Sequence, residues 1–215
     1  MTQSKYAAKI IKSDSDKYFA ERIFRFRHDL FVGELGWSLP GVKGSERDAF
    51  DSPDATYCAL MSGNQIVGCF RAIPCDRPYL AREVFPYMAK HRPYPTTNEF
   101  IEVSRLGVLA SYRRASPLLY SLMLRYGVAS GAKGLVALAD LAHERHLNRM
   151  RLHTVRYGSA QIVGFREDGG WLLAVAGEIP IPDPLTPDMK KLLSLTKNMD
   201  IDDEAHVLRR EGLSA

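Results

Sequence analysis

The chain has 215 residues, enough for one domain with a substantial core, and its 46% hydrophobic and 25% charged composition excludes wholesale disorder, a long coiled coil and a disulfide scaffold. A net charge of +4, spread along the chain, is ordinary solubility charge and carries no stripe or motif for nucleic acid. No apolar run reaches membrane-spanning length, the start Met-Thr-Gln-Ser-Lys-Tyr has no apolar leader core, and Cys58, Cys69 and Cys75 lack metal-ligand spacing. These features predict a cytoplasmic protein with no membrane, nucleic-acid or metal partner, folded as a single domain over 1–215.

The first predicted element is a helix capped in Ser13 to Asp16, with an apolar stripe of Phe19, Ala20, Ile23, Phe24, Leu30 and Phe31. Arg27 falls on that stripe. From Ser38 to Pro53 the pattern breaks into Gly, Pro and acidic residues, a long loop of the kind that often carries function. Thr56 to Met61 and Gln65 to Ile73 read as strands joined by the hairpin signal Ser62-Gly63-Asn64, and alternation places Arg71 with Val67, Cys69 and Ile73.

A loop and short helix with Pro78, Phe85 and Pro86 precede a strand from Phe100 to Leu109 that carries Glu102, Ser104 and Arg105. Ser116-Pro117 opens a helix to about Ser130. Leu135 to Ala139 is a strand, Asp140 caps a short helix through Asn148, and Val155 to Val163 and Trp171 to Ala176 are closing strands. The tail from about 181 is Pro-rich, then weakly helical, and is expected to pack loosely. Hairpin strands followed by strands alternating with helices predict a three-layer αβα sandwich around a mixed sheet.

Charges inside these apolar segments are the functional signal. An unpaired buried ion costs several kcal/mol, so Arg27, Asp48, Asp51, Arg71, Glu102 and Arg105 are expected to share one cluster. Read singly, the arginines are bidentate partners for the loop acids, and Glu46, Asp48 and Asp51 read as a solvated acidic loop until Phe50 anchors it. Glu102, between apolar neighbours and near arginines, has the balance of a general base. Strict alternation puts Glu102 and Arg105 on opposite faces, so a bulge near Ser104 is required to unite them. Trp37 reads as a loop anchor or as an aromatic wall for a cation. His28, His143, His146 and His153 receive no role.

Taken together, Arg27-x-x-x-Phe31-x5-Trp37, Glu46-x-Asp48-x-Phe50-Asp51, Gly68-x-x-Arg71, Pro78 with Phe85, and Glu102-Val103-Ser104-Arg105 resemble the acyl-homoserine-lactone synthases, the LuxI-type autoinducer synthases. The resemblance implies an N-acetyltransferase-like fold whose sheet splays to admit a pantetheine-linked acyl chain. It implies joining of the fatty acyl group of an acylated acyl carrier protein to the amine of S-adenosylmethionine. The product then closes to an N-acyl-homoserine lactone and methylthioadenosine leaves. S-adenosylmethionine is a substrate, and no cofactor is implied.

By that resemblance Arg27, Phe31, Trp37, Asp48, Asp51 and Arg71 form or brace the S-adenosylmethionine pocket, with Arg105 beside Glu102 at the reacting centre. Phe85, Val103, Ser104 and Ala137 face the acyl chain. Ala137 stands where many relatives that take 3-oxo chains carry Thr or Ser, which favours an unsubstituted or 3-hydroxy chain. The segment Ser111 to Ser116 has no glycine for a coenzyme A pyrophosphate loop, which favours the carrier protein over acyl coenzyme A. Lys90, Arg92, Arg113 and Arg114 are candidates to meet that acidic partner. The competing readings are an N-acyl amino acid synthase of the same superfamily and a non-catalytic ligand-binding module.

Overall fold

The computed structural model describes residues 5–39, 42, 44–166 and 168–208. In chain order the elements are β1 (Ala7–Lys12), α1 (Lys17–Arg27), β2 (Thr56–Ser62), β3 (Gln65–Pro74), α2 (Leu80–Val84), β4 (Phe100–Val108), α3 (Ser116–Ala129), β5 (Gly134–Asp140), α4 (Leu141–Arg149), β6 (Val155–Arg156), β7 (Gln161–Phe165), β8 (Trp171–Pro180), α5 (Pro187–Ser194) and β9 (Asp200–Asp203). One sheet runs β6-β8-β5-β4-β3-β2-β1-β9, with β7 on β8. The β4–β5 and β1–β9 pairs are parallel and the others antiparallel, so the sheet is mixed as expected.

Local chemistry sets the element ends. Asp16 caps α1 by accepting from Phe19 N at 2.9 Å, and Asp140 caps α4 by accepting from His143 N at 2.7 Å. The β2–β3 hairpin closes through Gly63 at φ 57°, a conformation glycine adopts without a Cβ clash. Beyond Arg27 the first helix widens into a π-helical segment, His28–Glu34, which turns Phe31 inward.

Apolar alternation divides the core between the two faces of the sheet. Ile23, Phe24, Leu30 and Phe31 meet Cys69 and Ile73 on one face, while Leu119 and Met123 meet Phe70 and Val103 on the other. Each such fully buried Leu or Phe contributes about 1.5–3 kcal/mol. Gly68 suits the close pairing of β3 with β4, because a Cβ there would lie 2.9 Å from Val108 Cγ2 and 3.1 Å from the Gly107 carbonyl oxygen.

Two expectations are corrected. Ala7–Lys12 forms a strand that the sequence reading omitted. The tail from about 181 does not pack loosely as far as residue 208: Met189 and Leu192 of α5 are buried against the α3 side, and β9 adds a parallel strand to β1. The physical reason is the helical spacing of those two apolar residues, set by the Thr186 cap on Met189 N.

Candidate active site

The end of α1, the acidic loop, and β3 and β4 converge on one ionic lattice. Arg27 donates from Nε to Glu46 Oε2 at 2.5 Å and from Nη1 and Nη2 to Asp51 at 2.7 and 3.1 Å. Arg71 grips Asp48 through both terminal nitrogens, reaches Asp51 Oδ1 at 3.0 Å, and donates from Nε to Ser104 Oγ at 3.1 Å. Arg105 bridges Glu46 Oε1 at 2.9 Å and Asp48 Oδ2 at 2.8 Å. Tyr57 adds a hydroxyl donor to Asp51 at 2.8 Å.

Three guanidinium groups thus meet three carboxylates, which removes the cost of isolated ions in the core. Burial pushes the Asp48 and Asp51 carboxyls up, but the adjacent guanidiniums outweigh it and hold both below the usual carboxylate range. Side-chain exposure is graded: 1% at Arg27 and Glu46, 9% at Arg105 and 13% at Asp48. The lattice therefore opens at Asp48 and Arg105.

The bulge that the sequence required is present. Cys69 pairs with Gly107 but Arg71 pairs with Ser104, so β4 has one extra residue there, and Arg105 takes the left-handed φ of 54°. The side chains of Ser104 and Arg105 then reach the same lattice as Arg71, and Arg71–Ser104 lies next in the ladder but one to Ile73–Glu102. Glu102, 1% exposed, accepts from Ala81 N at 2.8 Å and Leu80 N at 3.3 Å at the start of α2. Burial raises its carboxyl above the ordinary value; the two N–H groups and Arg71 pull the other way without cancelling the rise.

Strands β4 and β5 pair only from Phe100–Glu102 to Gly134–Val136 and then part. A cavity of about 130 Å³ occupies the opening. On one side stand Phe31 and Trp37, stacked at 5.0 Å and 30°, with Arg105; on the other stand Val103, Met123, Leu147 and Tyr120. Ser104 and Ala137 flank the gap itself.

Most of the expected site residues meet here. Arg27, Asp48, Asp51, Arg71 and Arg105 form the lattice, while Phe31, Trp37, Val103, Ser104 and Ala137 line the cavity with Arg105. Glu102 lies beneath, under α2, outside the cavity lining. Phe85 also lies outside it, edge-on to Tyr87 at 6.1 Å. The four basic candidates do not form one face. Arg113 and Arg114 are exposed ahead of α3, whereas Lys90 and Arg92 belong to the segment beyond α2 on the opposite side of the sheet. Arg92 is a brace, paired with Glu178 Oε1 at 3.0 Å and stacked 4.0 Å over Tyr157.

Sequence reasoning left out three participants. Glu46 was noted among the loop acids but not placed in the site, although its spacing from Asp48 was the available signal. Tyr120 and His143 line the cavity, and the helical spacing of Tyr120 from Met123 was the only sequence signal for the first. On the exposed side of α4, Arg145, Asn148, Arg149 and Arg151 surround an open depression of about 530 Å³.

Comparison with known proteins agrees with this geometry. The family model described as Autoinducer synthase matches residues 12–162. An acyl-homoserine-lactone synthase of Ralstonia solanacearum is 33% identical over 153 residues, covering 66% of this chain and 74% of that protein. Among solved structures, TofI in a ternary complex with an inhibitor and MTA superposes with a TM-score of 0.73 at 26% identity, covering 86% of this chain and 96% of that one. The CoA-dependent acyl-homoserine lactone synthase BjaI, with SAM and isopentyl-CoA, shares the fold with a TM-score of 0.75 at 23% identity, covering 95% and 98%. With the parting of β4 from β5 already described, the chain belongs to the autoinducer synthase family and is an enzyme of the acyl-homoserine-lactone synthase kind.

Proposed function

We propose that this enzyme moves a fatty acyl group from an acylated acyl carrier protein to the amine of S-adenosylmethionine and releases an N-acyl-homoserine lactone. The observation that carries the reading is the cavity between the parted ends of β4 and β5, which has an ionic and aromatic wall on one side of the sheet and an apolar wall on the other. S-adenosylmethionine presents an ammonium, a carboxylate and a sulfonium. Asp48, on the open side of the lattice, suits the first, Arg105, whose side chain lines the cavity, suits the second, and the Phe31–Trp37 stack suits the third, while buried Arg27, Arg71 and Asp51 brace Asp48 and Arg105 from beneath. Val103 and Ala137 take the acyl chain on the other side.

Amine attack needs a neutral nucleophile, so Glu102 removes the ammonium proton, through a water where it does not reach directly. The amine lone pair adds to the thioester carbonyl, N–H groups at the Arg105 bulge hold the oxyanion, and as the C–S bond breaks with its electron pair on sulfur the nitrogen gives up its second proton to the departing thiolate, releasing the carrier thiol. The substrate carboxylate then attacks the carbon beside the sulfonium, closing the lactone as methylthioadenosine leaves with the sulfur electron pair. Exposed Arg113 and Arg114, with the arginines around the α4 depression, provide the positive surface that an acidic carrier requires.

The test is incubation of the purified chain with S-adenosylmethionine and either acyl carrier protein or coenzyme A thioesters, with mass spectrometry of the products. Equimolar lactone and methylthioadenosine from the carrier donor support the reading. An acylated amino acid without methylthioadenosine replaces it with the N-acyl amino acid synthase alternative, and no turnover with any donor leaves the ligand-binding alternative.

A further inference from the structure

The apolar side of the cavity carries a polar group where α3 meets α4, close to the Asp140 carboxylate that also lines the cavity. Tyr120 of α3 places its hydroxyl 3.2 Å from His143 Nε2 of α4, and both side chains line the cavity across from Ala137 and Ala139. The pair is held firmly. The Tyr120 ring is edge-on to His143 at 5.7 Å and tilted against His146 at 5.6 Å, and the Asp140 cap fixes the first turn of α4. Around it the wall is Val103, Leu106, Met123, Leu135 and Leu147, none of which can hydrogen-bond through its side chain.

Buried polar groups in an otherwise apolar ligand cavity fix which ligand fits, because an occupant without a matching group leaves them unsatisfied. A neutral imidazole carries one N–H, so Nε2 either accepts from the Tyr120 hydroxyl or donates to it. In the first arrangement the tyrosine oxygen has a lone pair left for a ligand donor; in the second its O–H is left for a ligand acceptor. A hydroxyl serves both, and an oxo group serves only the second.

We propose that Tyr120 and His143 are specificity-determining residues that select an acyl chain bearing a hydroxyl group. This rests on the acyl-transfer reading above and narrows its donor. The experiment measures kcat/KM for butanoyl, 3-hydroxybutanoyl, 3-oxobutanoyl, hexanoyl and 3-hydroxyhexanoyl donors, following methylthioadenosine, in the wild type and in Tyr120→Phe and His143→Leu. The expected result is a preference of about tenfold for the 3-hydroxy chain over its unsubstituted counterpart, with the ratio falling towards one in both variants. Turnover with no hydroxyl preference, with a 3-oxo preference, or with a ratio that survives Tyr120→Phe overturns this inference alone. Absence of methylthioadenosine with every donor overturns the acyl-transfer reading and this inference with it.

Discussion

The guanidinium of Arg105 lies 2.8 Å from Asp48 Oδ2, and the residue that makes this contact is the one in β4 with a left-handed backbone, φ 54°. A strained conformation thus holds the most open ion pair of the lattice against the cavity. Its two roles separate by substitution. Arg105→Ala and Arg105→Gly both remove the charge, but glycine tolerates the bulge and is expected to be about 1 kcal/mol more stable than alanine. Thermal unfolding measures that difference, while calorimetry shows S-adenosylmethionine binding lost alike in both.

For Glu102 the expected effect of Glu102→Gln is a fall in kcat of roughly 10²- to 10⁴-fold. Because burial raises this carboxyl, the wild-type rate falls as pH drops through a value above that of an ordinary glutamate. Methylthioadenosine release across pH checks both. Full turnover by the glutamine variant, or an acid limb at the usual glutamate position, removes Glu102 as the base.

Asp51 governs stability in acid. Its folded value lies below the unfolded one, so its contribution is complete above about pH 4 and is lost as pH falls towards the folded value. Asp51→Asn leaves Arg27 and Arg71 under-paired in the core and is expected to cost about 3–5 kcal/mol at neutral pH. Denaturant midpoints measured at several pH values should show a large loss at neutral pH that shrinks in acid; a constant difference contradicts the linkage.

Trp37→Ala is expected to weaken S-adenosylmethionine binding about 3- to 30-fold, the span of a cation–π contact. Isothermal calorimetry against an uncharged sulfide analogue isolates the sulfonium. Equal losses for both ligands would assign Trp37 to packing alone.

Charge reversal of Arg113 and Arg114 should raise KM for a carrier-protein donor and steepen at low ionic strength, with kcat preserved. Arg92→Ala, by contrast, should lower thermal stability through loss of the Glu178 pair and the Tyr157 stack.

The central strands and helices were legible because each carries one dominant period: alternation in Gln65 to Ile73, a capped stripe after Asp16, and a Pro-led helix at Ser116. The lattice was legible because charges stood on apolar faces, and even the bulge followed from the parity of Glu102 and Arg105. What stayed hidden depends on tertiary neighbours. Ala7–Lys12 is a strand only because β2 and β9 flank it, and Asp200–Asp203 only because β1 does. Phe85 read as a cavity residue because sequence order cannot say which side of α2 it leaves. His143 was weighed with the other histidines and given no role, since its partner Tyr120 lies on another helix, brought within reach by packing.

The equal count of guanidiniums and carboxylates makes the empty enzyme electrically closed at this spot. An amino-acid head group, with its own opposed pair of charges, exchanges into that arrangement without altering its sum. A ligand carrying only an amine or only an acid leaves one protein ion surplus in a dry setting. On the proposed reading, a preference for a zwitterionic head group follows from charge balance as much as from shape.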